Sequence, residues 1–149
     1  MREARTCWPV LVRKAQDAVN AAQNDIVQAL ARVDQLQASH QRLCKLYDEY
    51  RLQEHASQAP VMGMQASMNH RQFMAQLVNL QQRVVVDLGK AQSTLAQMRQ
   101  KRLQTEIELH KMQSLAEQDA QAVTQDVKRY EQRQMDEVGV RQFILNMGT

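Results

Sequence analysis

The chain has 149 residues, of which 44% are hydrophobic but only 4% aromatic, with 4 Gly and 2 Pro. A compact catalytic domain usually needs more bulky core residues and more turn residues than this. The composition therefore favours one elongated helical unit. A net charge of +3 is too small to indicate a nucleic-acid partner. No apolar run approaches a secretory leader or the roughly 18 residues of a membrane span, so we expect a cytoplasmic protein.

Helix one is predicted from a long apolar series whose members are alternately three and four residues apart. Spacing that averages 3.5 residues keeps one narrow stripe facing a partner helix, as in a coiled coil. Pro9 suits the first turn of a helix, and the pattern predicts helix one over about 9–56. The series, in which only His40 is charged or strongly polar, is Val12, Ala15, Val19, Ala22, Ile26, Ala29, Val33, Leu36, His40, Leu43, Tyr47 and Tyr50.

A turn is predicted over about 57–68, where Pro60 and Gly63 interrupt the period. Asn69 and Gln72 resemble a capping box, and the apolar pattern resumes after them, so helix two is predicted over about 69–144. Consecutive steps of four predict two stutters, which relax a supercoil locally. These stutters are Leu80-Val84-Leu88 and Met112-Ala116-Ala120.

Together these elements predict an all-α fold: a single domain, 1–149, with two long helices in an antiparallel coiled-coil hairpin. Residues that pair across it should have numbers adding up to about 125. The second helix is the longer one. Its overhang, from about Leu115 to Phe143, keeps an apolar stripe with no partner in the chain. A bare apolar stripe favours association, which makes the overhang a candidate docking element.

A second candidate surface lies near the turn, where the apolar surface is wider than one seam between two helices requires. Each helix can bury only one row of residues against the other, so one row per helix is left for a partner. The alternative is that the hairpin dimerises through this face. The rows are Leu43, Leu46 and Tyr50 beside His40 and Tyr47 on helix one, and Phe73, Leu77, Leu80 and Val84 beside Met74, Val78, Val85 and Leu88 on helix two.

Catalysis and metal binding find little support in the sequence. There is no glycine-rich phosphate loop and no arrangement typical of a nucleophilic triad. His40 and Cys44 supply two ligands on one helical face, and His55 and His70 can face each other, but a tetrahedral site needs three or four. Cys7 and Cys44 are too far apart on one helix to form a disulfide. We expect no enzyme activity, no cofactor, no small-molecule substrate and two free thiols.

Three strings, in their order and spacing, resemble the flagellar export protein family FliJ. They are YDEYR at 47–51, NHRQF at 69–73 followed by Leu77, and QMDE at 134–137. The resemblance spans most of the chain. It implies an antiparallel coiled coil similar to the central stalk, the gamma subunit, of rotary ATPases.

The resemblance also implies partners and a location. The expected partners are the flagellar export ATPase hexamer, whose assembly and activity the protein would promote, the cytoplasmic domain of the membrane export gate, and export chaperones that it would escort. The location would be cytoplasmic, peripherally associated with the inner membrane at the export apparatus. Two alternatives stay open: the stalk protein of a virulence-type injectisome, and a purely structural homodimeric coiled coil.

Two sets of contact residues follow from matching the family onto this chain. The expected gate-contacting set is Leu43, Leu46, Tyr50, Phe73, Leu77 and Leu80. The expected ATPase-contacting set, on the overhang, is Val123, Val127, Tyr130, Met135 and Val138.

Overall fold

The computed structural model describes residues 7–56 and 63–148, apart from the side chains of residues 55 and 56. Helix α1 spans Cys7–Ala56 and helix α2 spans Met64–Met147, and the described residues contain no strand. The two helices pack against each other as a hairpin in which α2 is the longer helix. The predicted all-α fold is thereby confirmed.

Helix α2 begins at Met64, before the predicted start at residue 69. Its first turn is marked by a hydrogen bond of 3.3 Å that the Ser67 amide donates to the Gly63 carbonyl. Asn69 lies inside the helix, so the predicted capping box is wrong. Met64 and Ala66 have high helix propensity, which lets the helix start before the apolar period resumes. Residues 57–62 of the predicted turn lie outside the described residues.

The chain divides into two compact units, and each helix contributes to both. One unit comprises residues 21–102, and the other comprises the described parts of 1–20 and 103–149. The prediction of a single domain stays a prediction.

The 21–102 unit holds the buried core. Its α1 members follow the predicted seam, with Ala29 half-buried between Ile26 and Val33. Steps of four and three along α1 are the spacing of a coiled-coil seam, so this half of the prediction is confirmed. The buried side chains are Ala22, Ile26, Val33 and Leu36 from α1 and Leu77 and Leu95 from α2.

The α2 side of this core differs from the prediction at Leu80. Leu80 is 44% exposed, while its neighbour Gln81 is half-buried and occupies the seam. Steps from Leu77 to Gln81 to Val84 alternate four and three, so the seam has no stutter here and the predicted one is wrong. The physical reason is geometric, because a residue lies in the seam when its side chain leaves the helix in the direction of the partner helix. Residue 81 has that direction, and its long Gln side chain is tolerated in the seam.

Three contacts between the helices fix the register of the 21–102 unit. The Arg102 Nη1 atom donates a hydrogen bond of 2.9 Å to Gln23 Oε1. At the other end, the rings of Tyr50 and Phe73 lie 4.7 Å apart, and His70 Nε2 lies 3.5 Å from Glu54 Oε2. In each pair the residue numbers add up to about 125, which confirms the predicted antiparallel register.

The second unit shows the same spacing with shallower burial. On α1 the half-buried residues are Trp8, Val12, Ala15 and Val19. On α2 the residues Met112, Ala116 and Asp119 are half-buried, while Ala120 is exposed. These half-buried positions are four and then three residues apart, so the second predicted stutter is also wrong. Half-buried residues continue on α2 as far as Val127, and every residue from Lys128 to Gly148 is exposed. The part of α2 in which every residue is exposed therefore begins at Lys128 and not at Leu115.

Candidate partner-binding surfaces

The expected gate-contacting residues all lie in the 21–102 unit, near the hairpin end, and we call them the hairpin-end cluster. Leu43, Leu46 and Tyr50 are half-buried on α1. On α2, Phe73 and Leu80 are exposed, whereas Leu77 is only 3% exposed. The cluster thus contains five side chains that present surface to solvent and one, Leu77, that is buried.

Aromatic contacts hold this end of the hairpin together. The Tyr50 ring packs at 54° against Phe73, with ring centroids 4.7 Å apart, and its centroid lies 6.2 Å from that of His70. Tilted rings at these separations attract each other through their quadrupoles. The buried His70 Nε2 atom faces the Glu54 carboxylate but forms no hydrogen bond with it. Tyr50 is therefore the residue on which the α2 aromatic side chains converge.

Leu77 differs from the other members of the cluster because it is buried between the two helices. Its side chain fills the seam, so a partner can reach it only if the helices separate. Leu80 lies one turn along on the outside and lines an open groove of α2 with Arg83 and Asp87. Leu80 is consequently the α2 member of the cluster most accessible to a partner, together with Phe73.

The second candidate surface is the exposed stretch Lys128–Gly148, which we call the C-terminal segment. Three expected ATPase-contacting residues, Tyr130, Met135 and Val138, lie on it and are exposed. Val123 and Val127 precede it and are half-buried. An isolated single helix is marginal in water, and apolar side chains along it favour a partner.

Further exposed apolar residues of the C-terminal segment lie outside the expected ATPase-contacting set. They follow Val138 on several sides of the helix, and the signal that could have found them is their density: few polar residues interrupt them. A helix end that exposes apolar side chains on several sides is suited to burial on more than one side. These residues are Val140, Phe143, Ile144, Leu145 and Met147, all exposed.

The histidine and cysteine side chains of the described residues do not assemble a metal site. His40 and Cys44 touch, with the Cys44 Sγ atom 3.7 Å from His40 Nε2. Among the described residues, no group of three or more His, Cys, Asp or Glu side chains is placed to hold a metal ion. Cys7 and Cys44 are both free thiols, and the side chain of His55 lies outside the described residues. No helix in 7–56 or 63–148 has an apolar stretch able to cross a membrane.

These observations define the class of protein first: an α-helical hairpin that exposes apolar side chains at the hairpin end and along the last turns of the longer helix. The family model described as "Flagellar FliJ protein" matches residues 9–148, and the chain belongs to this family. No curated protein and no solved structure gives a significant match. Membership places the chain among the structural components of flagellar protein export rather than among enzymes.

Proposed function

We propose that this chain is the non-enzymatic stalk of the flagellar type III export ATPase complex. In this proposal the C-terminal segment docks into the ATPase ring and promotes its assembly and activity, and the hairpin-end cluster contacts the cytoplasmic domain of the export gate. The chain works in the cytoplasm, at the export apparatus on the inner membrane. Family membership supports the flagellar apparatus over the injectisome.

The exposed apolar surface of the C-terminal segment is the observation that best supports the proposal. Large apolar side chains are exposed along it, including Met135 at 70% and Leu145 at 71%. Covering three such side chains stabilises a complex by about 5 kcal/mol before the costs of association. A partner that surrounds the helix covers more of them than a flat surface does, and a ring provides such an enclosure.

The hairpin-end cluster supports the gate contact. Phe73 and Leu80 are exposed and Leu46 and Tyr50 are half-buried, so both helices contribute apolar surface at this end, where Tyr50 packs against Phe73. Aromatic anchors surrounded by aliphatic side chains are typical of interface hot spots. Because this surface and the C-terminal segment belong to different units of the chain, the two partners need not compete for the same residues.

The escort of export chaperones completes the proposal and is supported by the family resemblance alone. The test is to mix purified chain with individual export chaperones and measure complexes by size-exclusion chromatography. Variants of the hairpin-end cluster and of the C-terminal segment then locate the chaperone contact.

The main experiment titrates the export ATPase of the same organism with this chain while recording the ATPase rate and the hexamer fraction. We expect both to rise and to saturate near one chain per ring, since a single asymmetric hairpin fills the axis of a closed ring. No change in either quantity, together with a stable dimer of the chain by analytical ultracentrifugation, would instead support the structural homodimeric coiled coil.

A further inference from the structure

The charges of α2 change sign near residue 102. Between residues 64 and 102 the helix has six basic residues and one acidic residue, whereas between residues 103 and 127 it has one basic residue and five acidic ones. Charges of one sign are therefore gathered in each of these two stretches. Such a stretch attracts a surface of the opposite charge and repels one of its own.

Three basic residues of the first stretch form a row along one side of α2, which we call the basic row. They are Arg83, Lys90 and Lys101, all exposed, and they are seven and then eleven residues apart. Because an α-helix has about 3.6 residues per turn, these gaps are close to two and three full turns. Arg83 and Lys90 each line an open groove that also contains Asp87, and this one acid leaves the row with a net positive charge. The basic row belongs to the 21–102 unit.

Three acidic residues of the second stretch form a matching row, which we call the acidic row. They are Glu108, which is exposed, and Asp119 and Asp126, which are half-buried. Their gaps are eleven and then seven residues, which are the gaps of the basic row in reverse order. The acidic row belongs to the other unit of the chain. Because the order of the gaps is reversed, the two rows match when the helices that carry them run antiparallel.

The two rows cannot pair with each other along a single helix. Side chains on a helix meet when they are three or four residues apart, whereas the nearest members of the two rows, Lys101 and Glu108, are seven apart. In a second, antiparallel copy of α2, Lys101 lies opposite Glu108, and the other two cations lie opposite the two aspartates. The residue numbers in each of these three pairs have the same sum. Every copy of this chain therefore carries the complement of its own charge pattern.

We propose that the basic row of one copy binds the acidic row of a second copy, with the two α2 helices antiparallel. The reversed order of the gaps identifies the partner, since an unrelated acidic surface has no reason to repeat it. Exposed ion pairs are individually weak and are screened by salt, so the association is reversible and weakens as the ionic strength rises. This self-association does not depend on the proposed function, because it requires only copies of this chain.

Sedimentation equilibrium of the full chain over a range of sodium chloride concentrations tests the association itself. We expect a dimer whose dissociation constant rises about tenfold from low to physiological salt, because the screening length falls from about 30 Å at about 0.01 M to about 8 Å at about 0.15 M. A chain that stays monomeric at low salt would overturn the proposal. So would a dimer whose dissociation constant does not depend on salt, because apolar surface would then hold it together.

Exchange of one charge pair tests the contact. Lys101→Glu and Glu108→Lys each place like charges opposite each other, so each is expected to weaken self-association by about fivefold or more. Equimolar mixing of these two variants should restore the association, because the exchanged charges attract again. The matched control is Arg99→Glu, since Arg99 is also exposed but lies on the opposite side of the helix from Lys101. The same change in net charge at Arg99 should alter the dissociation constant by less than about twofold.

Two further outcomes would overturn the proposal. If the mixture of the two variants associates no better than either variant alone, Lys101 and Glu108 do not face each other across two copies. If the chain is monomeric, and Lys101→Glu but not Arg99→Glu abolishes co-sedimentation with phosphatidylglycerol vesicles, the basic row binds an anionic surface and not a second copy. Circular dichroism checks that every variant keeps the helicity of the unmodified chain, and the salt dependence of the unmodified chain tests the proposal without any variant.

Discussion

Tyr50 of α1 and Phe73 of α2 pack ring against ring across the hairpin, with centroids 4.7 Å apart. Both residues belong to the hairpin-end cluster, so the side chains proposed to contact the gate also join the two helices to each other. A substitution at either position therefore changes the stability of the hairpin end as well as the surface offered to a partner. Experiments on this cluster need to measure the two effects separately.

A double-mutant cycle measures the intramolecular part. Tyr50→Ala and Phe73→Ala are each expected to lower the free energy of unfolding, and the double variant should lose about 1 kcal/mol less than the sum of the single losses, because the ring pair can be lost only once. Urea unfolding followed by circular dichroism provides the values. Leu52→Ala, at a 68% exposed position of α1, is the control and should have little effect. Strict additivity of the two losses would show that the rings do not stabilise each other.

Leu77 and Leu80 separate stability from partner binding. Leu77→Ala removes a buried side chain and should lower the free energy of unfolding by about 2–4 kcal/mol. Leu80→Ala changes an exposed side chain outside the seam, so its unfolding midpoint should stay close to that of the unmodified chain while affinity for the gate's cytoplasmic domain falls several-fold. Calorimetric titration of the gate domain measures that affinity.

The result that would exclude Leu80 from the gate contact is unchanged affinity in Leu80→Ala, provided that Phe73→Ala still weakens binding in the same assay. If neither variant alters the affinity, the hairpin-end cluster has some other role, and the gate assignment is wrong.

The sequence sufficed to predict the hairpin because its apolar spacing recurs many times. The repeated pattern alone would allow shifts by whole heptads, so the position of the predicted turn over about 57–68 sets the register. The family resemblance gave the broad function for a similar reason: it depends on the order of several strings, not on any single residue.

Single positions were harder to predict, as Gln81 shows. Hydrophobicity favoured Leu80 for the seam, whereas direction around the helix places Gln81 there and leaves Leu80 exposed. The contact sets themselves depend on partner surfaces that this chain's sequence does not encode.

Arg102 offers a test of a polar seam position. It is half-buried and donates a hydrogen bond to Gln23 across the hairpin, where a coiled coil gains more from an apolar side chain. Arg102→Leu exchanges the polar contacts of the arginine, including the hydrogen bond to Gln23, for apolar burial in the seam, and we expect it to raise the free energy of unfolding by about 0.5–1 kcal/mol. Lys101→Leu, at the exposed neighbouring position, is the control and should leave stability almost unchanged. A destabilised Arg102→Leu variant would show that the polar contact outweighs apolar burial here.

Removal of the C-terminal segment separates folding from docking most sharply. Deleting residues 128–149 takes away only residues that are exposed or lie outside the described part of the chain, so the urea midpoint of the remaining hairpin should not change. Total helical signal should fall only by the share of the deleted residues. Stimulation of the export ATPase should drop to the basal rate, because most of the exposed ATPase-contacting surface is gone.

A full-length variant distinguishes loss of the apolar surface from loss of chain length. Replacing Met135, Val138 and Phe143 with Gln keeps the helix but removes much of its apolar surface, and the matched control replaces the exposed polar residues Lys128, Glu131 and Glu137 with Gln. We expect the first variant to behave like the deletion and the control to stimulate the ATPase normally, since burial of apolar area supplies the docking energy. Full stimulation by the apolar-to-Gln variant would mean that the ring recognises this segment by its backbone length or charge, and the docking mechanism would have to be abandoned.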